Sequence, residues 1–145
     1  MATSIQLVFD TADPDREARF WAEALGYRLQ SPPDGFDTWA AFLQHRGVPE
    51  ERWNDASAVI DPDGKGPRIF FQRVPEGKTA KNRLHMDLNV SGGHGVALDE
   101  RMRRVNLEVG RLRELGASDE RGAIERDGEY WVRMNDPEGN EFCVQ

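Results

Sequence analysis

The feature that most constrains the fold is one order of elements that occurs twice: a strand, a helix and then three strands. In the first half, strands are predicted at residues 5–10, 27–30, 39–44 and 68–74, with a helix from Pro14 to Leu25. In the second half, they are predicted at residues 82–90, 118–126, 129–134 and 141–145, with a long helix that ends before Gly116. Neither half has a complete core, so modules 1–75 and 82–145 should form one α+β domain of residues 1–145.

The helix signals are local. Asp13 is placed to cap the first helix, Pro14 suits its first position, and Gly26 suits its end. The second helix has apolar residues at steps of three and four, which predicts one buried face: Leu98, Met102, Val105, Val109, Leu112 and Leu115. Gly110 inside this helix suggests close packing against a neighbour.

The segment 82–90 alternates in polarity and is predicted to be a half-buried strand. One face is apolar and directed at the core: Leu84, Met86, Leu88 and Val90. The opposite face is polar: Arg83, His85, Asp87 and Asn89. His85 is the candidate ligand contact or general base. The alternative is a histidine whose hydrogen bonds are satisfied by neighbours such as Asp87 or Gln6.

Composition excludes several classes of function. A net charge of −7 argues against non-specific nucleic-acid binding, and no apolar run approaches the ~20 residues that span a bilayer. Cys143 is the only cysteine, so no internal disulfide forms, and a cytoplasmic protein is expected. The polar connection 45–67 is long for a compact domain and is typical of a binding loop or lid.

Aromatic residues offer a pocket for a planar ligand: Trp39, Trp53, Trp131 and Phe70. Core packing is the competing interpretation and should hold for at least two of them. Arg83 and Asp87 form either a salt-bridged wall or an anion-recognition site. Glu129, Arg133 and Glu141 are interpreted as solvated surface.

The segments 20–26 (FWAEALG) and 135–140 (NDPEGN) resemble the vicinal oxygen chelate superfamily, which includes glyoxalase I, extradiol dioxygenases and fosfomycin and bleomycin resistance proteins. Segments 71–75 and 81–87 are similar to those of small bacterial glyoxalase-like proteins. The resemblance implies two βαβββ modules with mixed, curled sheets that form a cleft, helices outside, and a homodimer.

In metal-dependent members of this superfamily, four strand residues hold a divalent ion. The resemblance places these positions at Gln6, Phe70, His85 and Cys143. Phenylalanine cannot ligate, and both expected glutamates are missing, so a divalent metal is disfavoured, with His85 and Gln6 as the remaining candidate ligands. Gln72 and Gln145, two residues further on, are alternative positions at the cleft. Cys143 is interpreted as a buried, inert thiol.

The resemblance therefore implies a protein that binds a small organic molecule in its cleft. One hypothesis is a metal-independent lyase or isomerase in which His85 acts with Gln6. A second is a resistance-type protein that sequesters an aromatic or cationic molecule, which the acidic net charge suits. A third is a divalent-metal-dependent enzyme.

Overall fold

The computed structural model describes residues 1–119 and 121–145, which divide into two compact units, residues 1–77 and residues 78–145. Each unit contains a four-stranded mixed sheet, not closed into a barrel, with a helix packed on one face. The order strand, helix, three strands is confirmed in both units. Among the described residues, no helix is long and apolar enough to cross a membrane.

The first unit consists of β1 (Leu7–Thr11), α1 (Pro14–Leu25), β2 (Arg28–Leu29), α2 (Trp39–His45), β3 (Ala56–Ile60) and β4 (Ile69–Arg73), with a 3₁₀ turn at Glu50–Arg52. Its strand order is β1-β4-β3-β2. The β1 and β4 strands are parallel, and the other neighbours are antiparallel.

The second unit consists of β5 (Asp87–Leu88), α3 (Leu98–Glu114), β6 (Ala123–Arg126), β7 (Glu129–Asn135) and β8 (Glu141–Val144). Its strand order, β5-β8-β7-β6, repeats that of the first unit. The β5 and β8 strands are parallel, whereas β7 is antiparallel to both of its neighbours. The predicted strand near 118–126 includes Glu120, which lies outside the described residues.

The α1 helix begins and ends as its sequence predicts. The Asp13 side chain accepts a hydrogen bond from the Arg16 backbone N–H at 3.3 Å, and Gly26 ends the helix with φ 68°. Trp21 is 1% exposed, and its ring centroid lies 5.5 Å from that of Phe9 on β1. Packing against α1 therefore assigns one face of the first sheet to the core.

The α3 helix buries the middle of its predicted apolar face. Val105, Val109 and Leu112 are buried. The expected close packing at Gly110 is wrong, because a Cβ at this position would meet no neighbouring atom within 4 Å.

The prediction of a third strand at residues 39–44 is wrong, because these residues form α2. Thr38 Oγ1 accepts a hydrogen bond from the Ala41 N–H at 3.1 Å and caps the helix. The third strand is instead β3, inside the segment 45–67 that was predicted to be a connection. β3 contains the buried Ala58 and Val59 and pairs with both β2 and β4.

The predicted strand 82–90 is shorter in the structure. Its ladder covers β5, extended by backbone hydrogen bonds from Cys143 to Met86 (2.9 Å) and from Val90 to Gln145 (2.7 Å). Leu88 is buried as predicted. The predicted burial of Leu84 is wrong: it is 69% exposed, because it precedes the residues that pair with β8.

Candidate functional site

The first sheet has an open face opposite α1. In the ladder, Val8 lies beside Phe70 and Asp10 beside Gln72, and side chains alternate between faces. These four residues therefore point away from the face that carries Phe9 and Phe71. Gln72 Nε2 donates a hydrogen bond to Asp10 Oδ1 at 2.7 Å, so this predicted binding residue is held by a neighbouring strand.

A cleft of about 600 Å³ lies in the first unit, and we call it the aromatic cleft. Its lining comes from the start of α1, the residue after β2, α2, the segment 48–55, β3, and the start of β4 with the residue before it. The lining residues are Asp15, Gln30, Trp39, Leu43, Val48, Arg52, Trp53, Asn54, Asp55, Ala56, Ser57, Ala58, Arg68 and Phe70. Three of the predicted ligand residues, Trp39, Trp53 and Phe70, thus meet in one place.

The indole N–H groups of the two cleft tryptophans are bonded to backbone carbonyls. Trp39 Nε1 donates to the Gln30 carbonyl at 2.7 Å, and Trp53 Nε1 donates to the Val48 carbonyl at 2.9 Å. These bonds fix the rings and leave their apolar surfaces for packing. Trp39 is 41% exposed, so its ring is not part of a closed core.

Arg68, which the sequence analysis missed, lies at the centre of the polar contacts of this cleft. Its Nε donates to Gln30 Oε1 at 2.7 Å and its Nη1 donates to Gln6 Oε1 at 2.6 Å. Its guanidinium carbon lies 5.2 Å from the centroid of the Phe70 ring. Strand alternation could have identified it from the sequence. Arg68 is two residues before Phe70 and therefore lies on the same face of the strand.

The open face of the second sheet carries most of the predicted site residues of the second half. Cys143 lies beside Asp87 on one side and beside Arg133 on the other, so these side chains form one row across three strands. His85 Nε2 lies 3.6 Å from Asp87 Oδ1, and both side chains are 42% exposed. The cluster of His85, Asp87 and Cys143 brings its potential ligand atoms within 4.8 Å of one another.

A cleft of about 310 Å³ covers this row, and we call it the His85 cleft. Its lining includes four predicted site residues and the suggested Gln145: His85, Asp87, Glu129, Tyr130, Trp131, Arg133, Cys143 and Gln145. The interpretation of Glu129 and Arg133 as plain solvated surface missed that both border a cleft. Their alternation with the buried Val132 and Met134 on β7 was the signal.

Arg83 is exposed and lies outside the lining of both clefts in the described part of the chain. Glu141, also interpreted as solvated surface, is only 19% exposed in its side chain and pairs with Lys78 at 3.1 Å. It also accepts the Asn82 N–H at 3.0 Å. Glu141 therefore anchors the start of the second unit.

The Asn135–Asn140 motif has a structural role. Asp136 is buried, and its Oδ1 accepts the N–H groups of Glu138 at 3.0 Å and Asn140 at 2.8 Å. These bonds close the turn between β7 and β8 and set the register that places Cys143 beside Arg133.

The four positions implied for a divalent metal do not fit one. In the first unit, Phe70 has no ligand atom, and the Gln6 oxygen already accepts a hydrogen bond from the Arg68 guanidinium. In the second unit, burial, together with the negative charge of Asp87, raises the pKa of the Cys143 thiol despite Arg133. The two positions in this unit, His85 and Cys143, lack the carboxylates that a hard divalent ion prefers.

Comparisons with known proteins agree with this architecture. The family model of the glyoxalase-like domain matches residues 6–145. By sequence, the chain matches no curated protein.

Solved structures share the fold at low sequence identity. A glyoxalase/bleomycin resistance protein/dioxygenase family enzyme from Burkholderia phytofirmans is 13% identical, with a TM-score of 0.61, over 96% of this chain and 94% of that one. The fosfomycin resistance protein FosX from Listeria monocytogenes is 9% identical, with a TM-score of 0.62, over 100% and 91% of the two chains. FosX from Mesorhizobium loti is 10% identical, with a TM-score of 0.59, over 100% and 91%.

Three observations together assign the family: the repeated βαβββ order, the two matching sheets, and a family model that spans nearly the whole chain. This chain belongs to the glyoxalase-like domain family, and it shares the fold of the glyoxalase/bleomycin resistance/dioxygenase family enzyme.

Proposed function

We propose that this protein binds a small organic molecule with a planar aromatic body in the aromatic cleft of the first unit. The observation that carries the proposal is the cleft itself, about 600 Å³ in volume and lined by Trp39, Trp53 and Phe70. Volumes of this size, with largely apolar walls and a few fixed polar groups, are typical of small-molecule sites. Structural neighbours named as fosfomycin resistance proteins support a role in handling small molecules.

The test follows the indole N–H resonances of ¹⁵N-labelled protein during titration with two bicyclic probes, 2-naphthamide and 2-naphthoate. We expect at least one probe to shift the Trp39 and Trp53 resonances in a saturable way. Trp39→Ala should weaken binding about tenfold, because it removes one aromatic wall while leaving the core intact.

The matched control is Trp131→Ala, which removes a tryptophan from the His85 cleft. It should leave the affinity unchanged. Saturable shifts of Trp131 alone, with no effect of Trp39→Ala, would move the binding site to the His85 cleft and contradict the proposal.

The second candidate function is metal-independent catalysis at the His85 cleft, as a lyase or isomerase. It is favoured by one observation, the meeting of His85 with Asp87, whose carboxylate is placed to stabilise an imidazolium that forms during proton transfer. Gln6, its proposed companion, has its amide oxygen bonded to Arg68. A catalytic imidazole predicts that His85→Ala abolishes turnover while probe binding in the aromatic cleft survives.

At the level of the molecule, we propose that the two units function as one domain in a cytoplasmic homodimer. The resemblance to the superfamily and the single free cysteine support this proposal.

A further inference from the structure

We propose that Arg68 is the anion-recognition residue of the aromatic cleft, and that the ligand carries a carboxylate or an equivalent anionic oxygen on its planar body. This inference rests on the proposed function and names the class of ligand that the cleft selects.

Arg68 is held in place by neutral groups. The oxygens of Gln6 and Gln30 accept one hydrogen bond each, and the Phe70 ring lies under the guanidinium. Two amide contacts and one ring fix the plane of the side chain without neutralising its charge. Within the described residues, both N–H groups on Nη2 remain available to a ligand.

The carboxylates that line the aromatic cleft already have cationic partners. Asp15 pairs with Arg19 at 2.9 Å. Asp55 pairs with Arg52 at 3.0 Å and lies 3.8 Å from Arg73. Both carboxylates of the lining are therefore matched by other arginines.

Arg68 is the charged residue of the cleft lining that has no ionic partner, because no described carboxylate lies within salt-bridge distance of it. It is half-buried beside apolar walls, where an ionic contact is stronger than in water. An anionic oxygen of a ligand would supply the ionic partner that Arg68 lacks.

Arg68 also lies beside positions that the family resemblance implies for a metal. The two in the first unit are Gln6 and Phe70, and both contact the Arg68 guanidinium. A fixed organic cation thus occupies the surroundings of the residues where a metal would be bound. We infer that Arg68 supplies, by charge-assisted hydrogen bonds, the attraction for a ligand oxygen that an ion would otherwise supply.

An anionic ligand is the opposite of the cationic ligand expected from composition. The net charge of −7 suits a cationic ligand. However, charges beyond about 10 Å are screened at ordinary ionic strength, so the nearest unpaired group decides recognition.

The experiment compares the affinities of 2-naphthoate and 2-naphthamide, which have the same bicyclic body but differ in charge. Binding is followed through the Trp39 and Trp53 indole resonances at neutral pH, with and without EDTA. We expect 2-naphthoate to bind about tenfold more tightly than 2-naphthamide, and EDTA to change neither affinity.

Three variants separate charge from geometry. Arg68→Gln should abolish the preference for the anion, while both probes still shift the Trp39 and Trp53 resonances in a saturable way, which shows that the cleft is folded. Arg68→Lys keeps the charge but cannot contact both glutamines, and should retain only part of the preference. Arg46→Gln removes one positive charge of the same unit outside the cleft lining, and should retain all of it.

The outcomes distinguish the two proposals. If both probes bind the cleft equally, or if Arg68→Gln keeps the preference, the anion inference is overturned and the proposed function stands. If neither probe shifts Trp39 and Trp53, the proposed function fails, and the inference fails with it. If EDTA removes the preference, a metal rather than Arg68 recognises the anion, and the inference is overturned.

Discussion

Several carboxylates of this protein serve structure rather than chemistry, and Glu141 is the clearest example. Burial alone would raise its pKa, but the Asn82 N–H, its own backbone N–H and Lys78 outweigh burial and lower the pKa from 4.5 to about 2. The charged form is therefore the one that the folded state stabilises. This contribution is fully present above pH 4.5 and is lost as the pH falls toward 2.

We expect Glu141→Gln to lower the free energy of unfolding by about 1.5 kcal/mol at pH 7, the usual worth of a hydrogen bond to a charged group. The difference from the wild-type protein should shrink as the pH falls from 4.5 toward 2, because both proteins then carry a neutral side chain. Urea unfolding at pH 7, 5, 4 and 3 measures it.

The control is Glu76→Gln, the same change at an exposed position. It should alter the free energy of unfolding by less than about 0.5 kcal/mol. A constant difference between Glu141→Gln and wild type across the pH series would show that the Glu141 charge does not stabilise the fold.

At the level of the elements, glycine has opposite roles in the two long helices. Gly26 ends α1 in the left-handed region, where a Cβ is strained even though space is free. Gly110 lies inside α3, where no neighbour requires its small size. The same glycine-to-alanine change should therefore act in opposite directions.

Gly110→Ala is expected to raise the free energy of unfolding by about 0.8 kcal/mol, since alanine restricts the unfolded chain and fits a helix interior. Gly26→Ala, the matched control, should lower it by about 1 kcal/mol. Thermal or urea unfolding of both variants checks the signs. Destabilisation by Gly110→Ala would indicate that α3 has a packing partner at this position.

The α2 helix shows why element type was predicted incorrectly at one place. Trp39, Phe42 and Leu43 have helical spacing, but the segment is short and rich in aromatic residues, which favours a strand prediction. The hydrogen bond from the Ala41 N–H to Thr38 Oγ1 caps the first turn and stabilises the helix. This matters for the site, because Trp39 and Leu43 reach the aromatic cleft from that helix.

At the level of the whole molecule, the sheet edges and exposed apolar residues bear on the proposed homodimer. The β1 strand is an edge strand of the first sheet. Val8 within it is 51% exposed, and Ile5 just before it is 70% exposed. An exposed edge with apolar side chains favours association with another chain.

We expect light scattering to give a mass twice that of the 16.5 kDa chain. Val8→Asp should shift the protein toward the monomer, because it places a charge on the edge strand. Leu107→Asp changes a residue that is 68% exposed on α3 and should leave the mass unchanged. A monomeric wild-type protein, or equal effects of both variants, would contradict the proposal.

The sequence by itself determined the order of elements in the second unit, the ends of α1 and the core faces of α1 and α3, because caps, glycine conformation and periodicity act over a few residues. It also placed His85 and Asp87 on the polar face opposite Leu88, since alternation needs only the local backbone.

Only the tertiary structure decided the aromatic cleft and the role of Arg68. The contacts of Arg68 reach Gln30, 38 residues away, and Gln6, 62 residues away. Such contacts depend on strand pairing rather than on local pattern. Asp15 and Asp55 pair with arginines close to them in sequence, Arg19 and Arg52. Only the fold brings these two pairs and Arg68 to the lining of one cleft, where Arg68 has no carboxylate partner among the described residues.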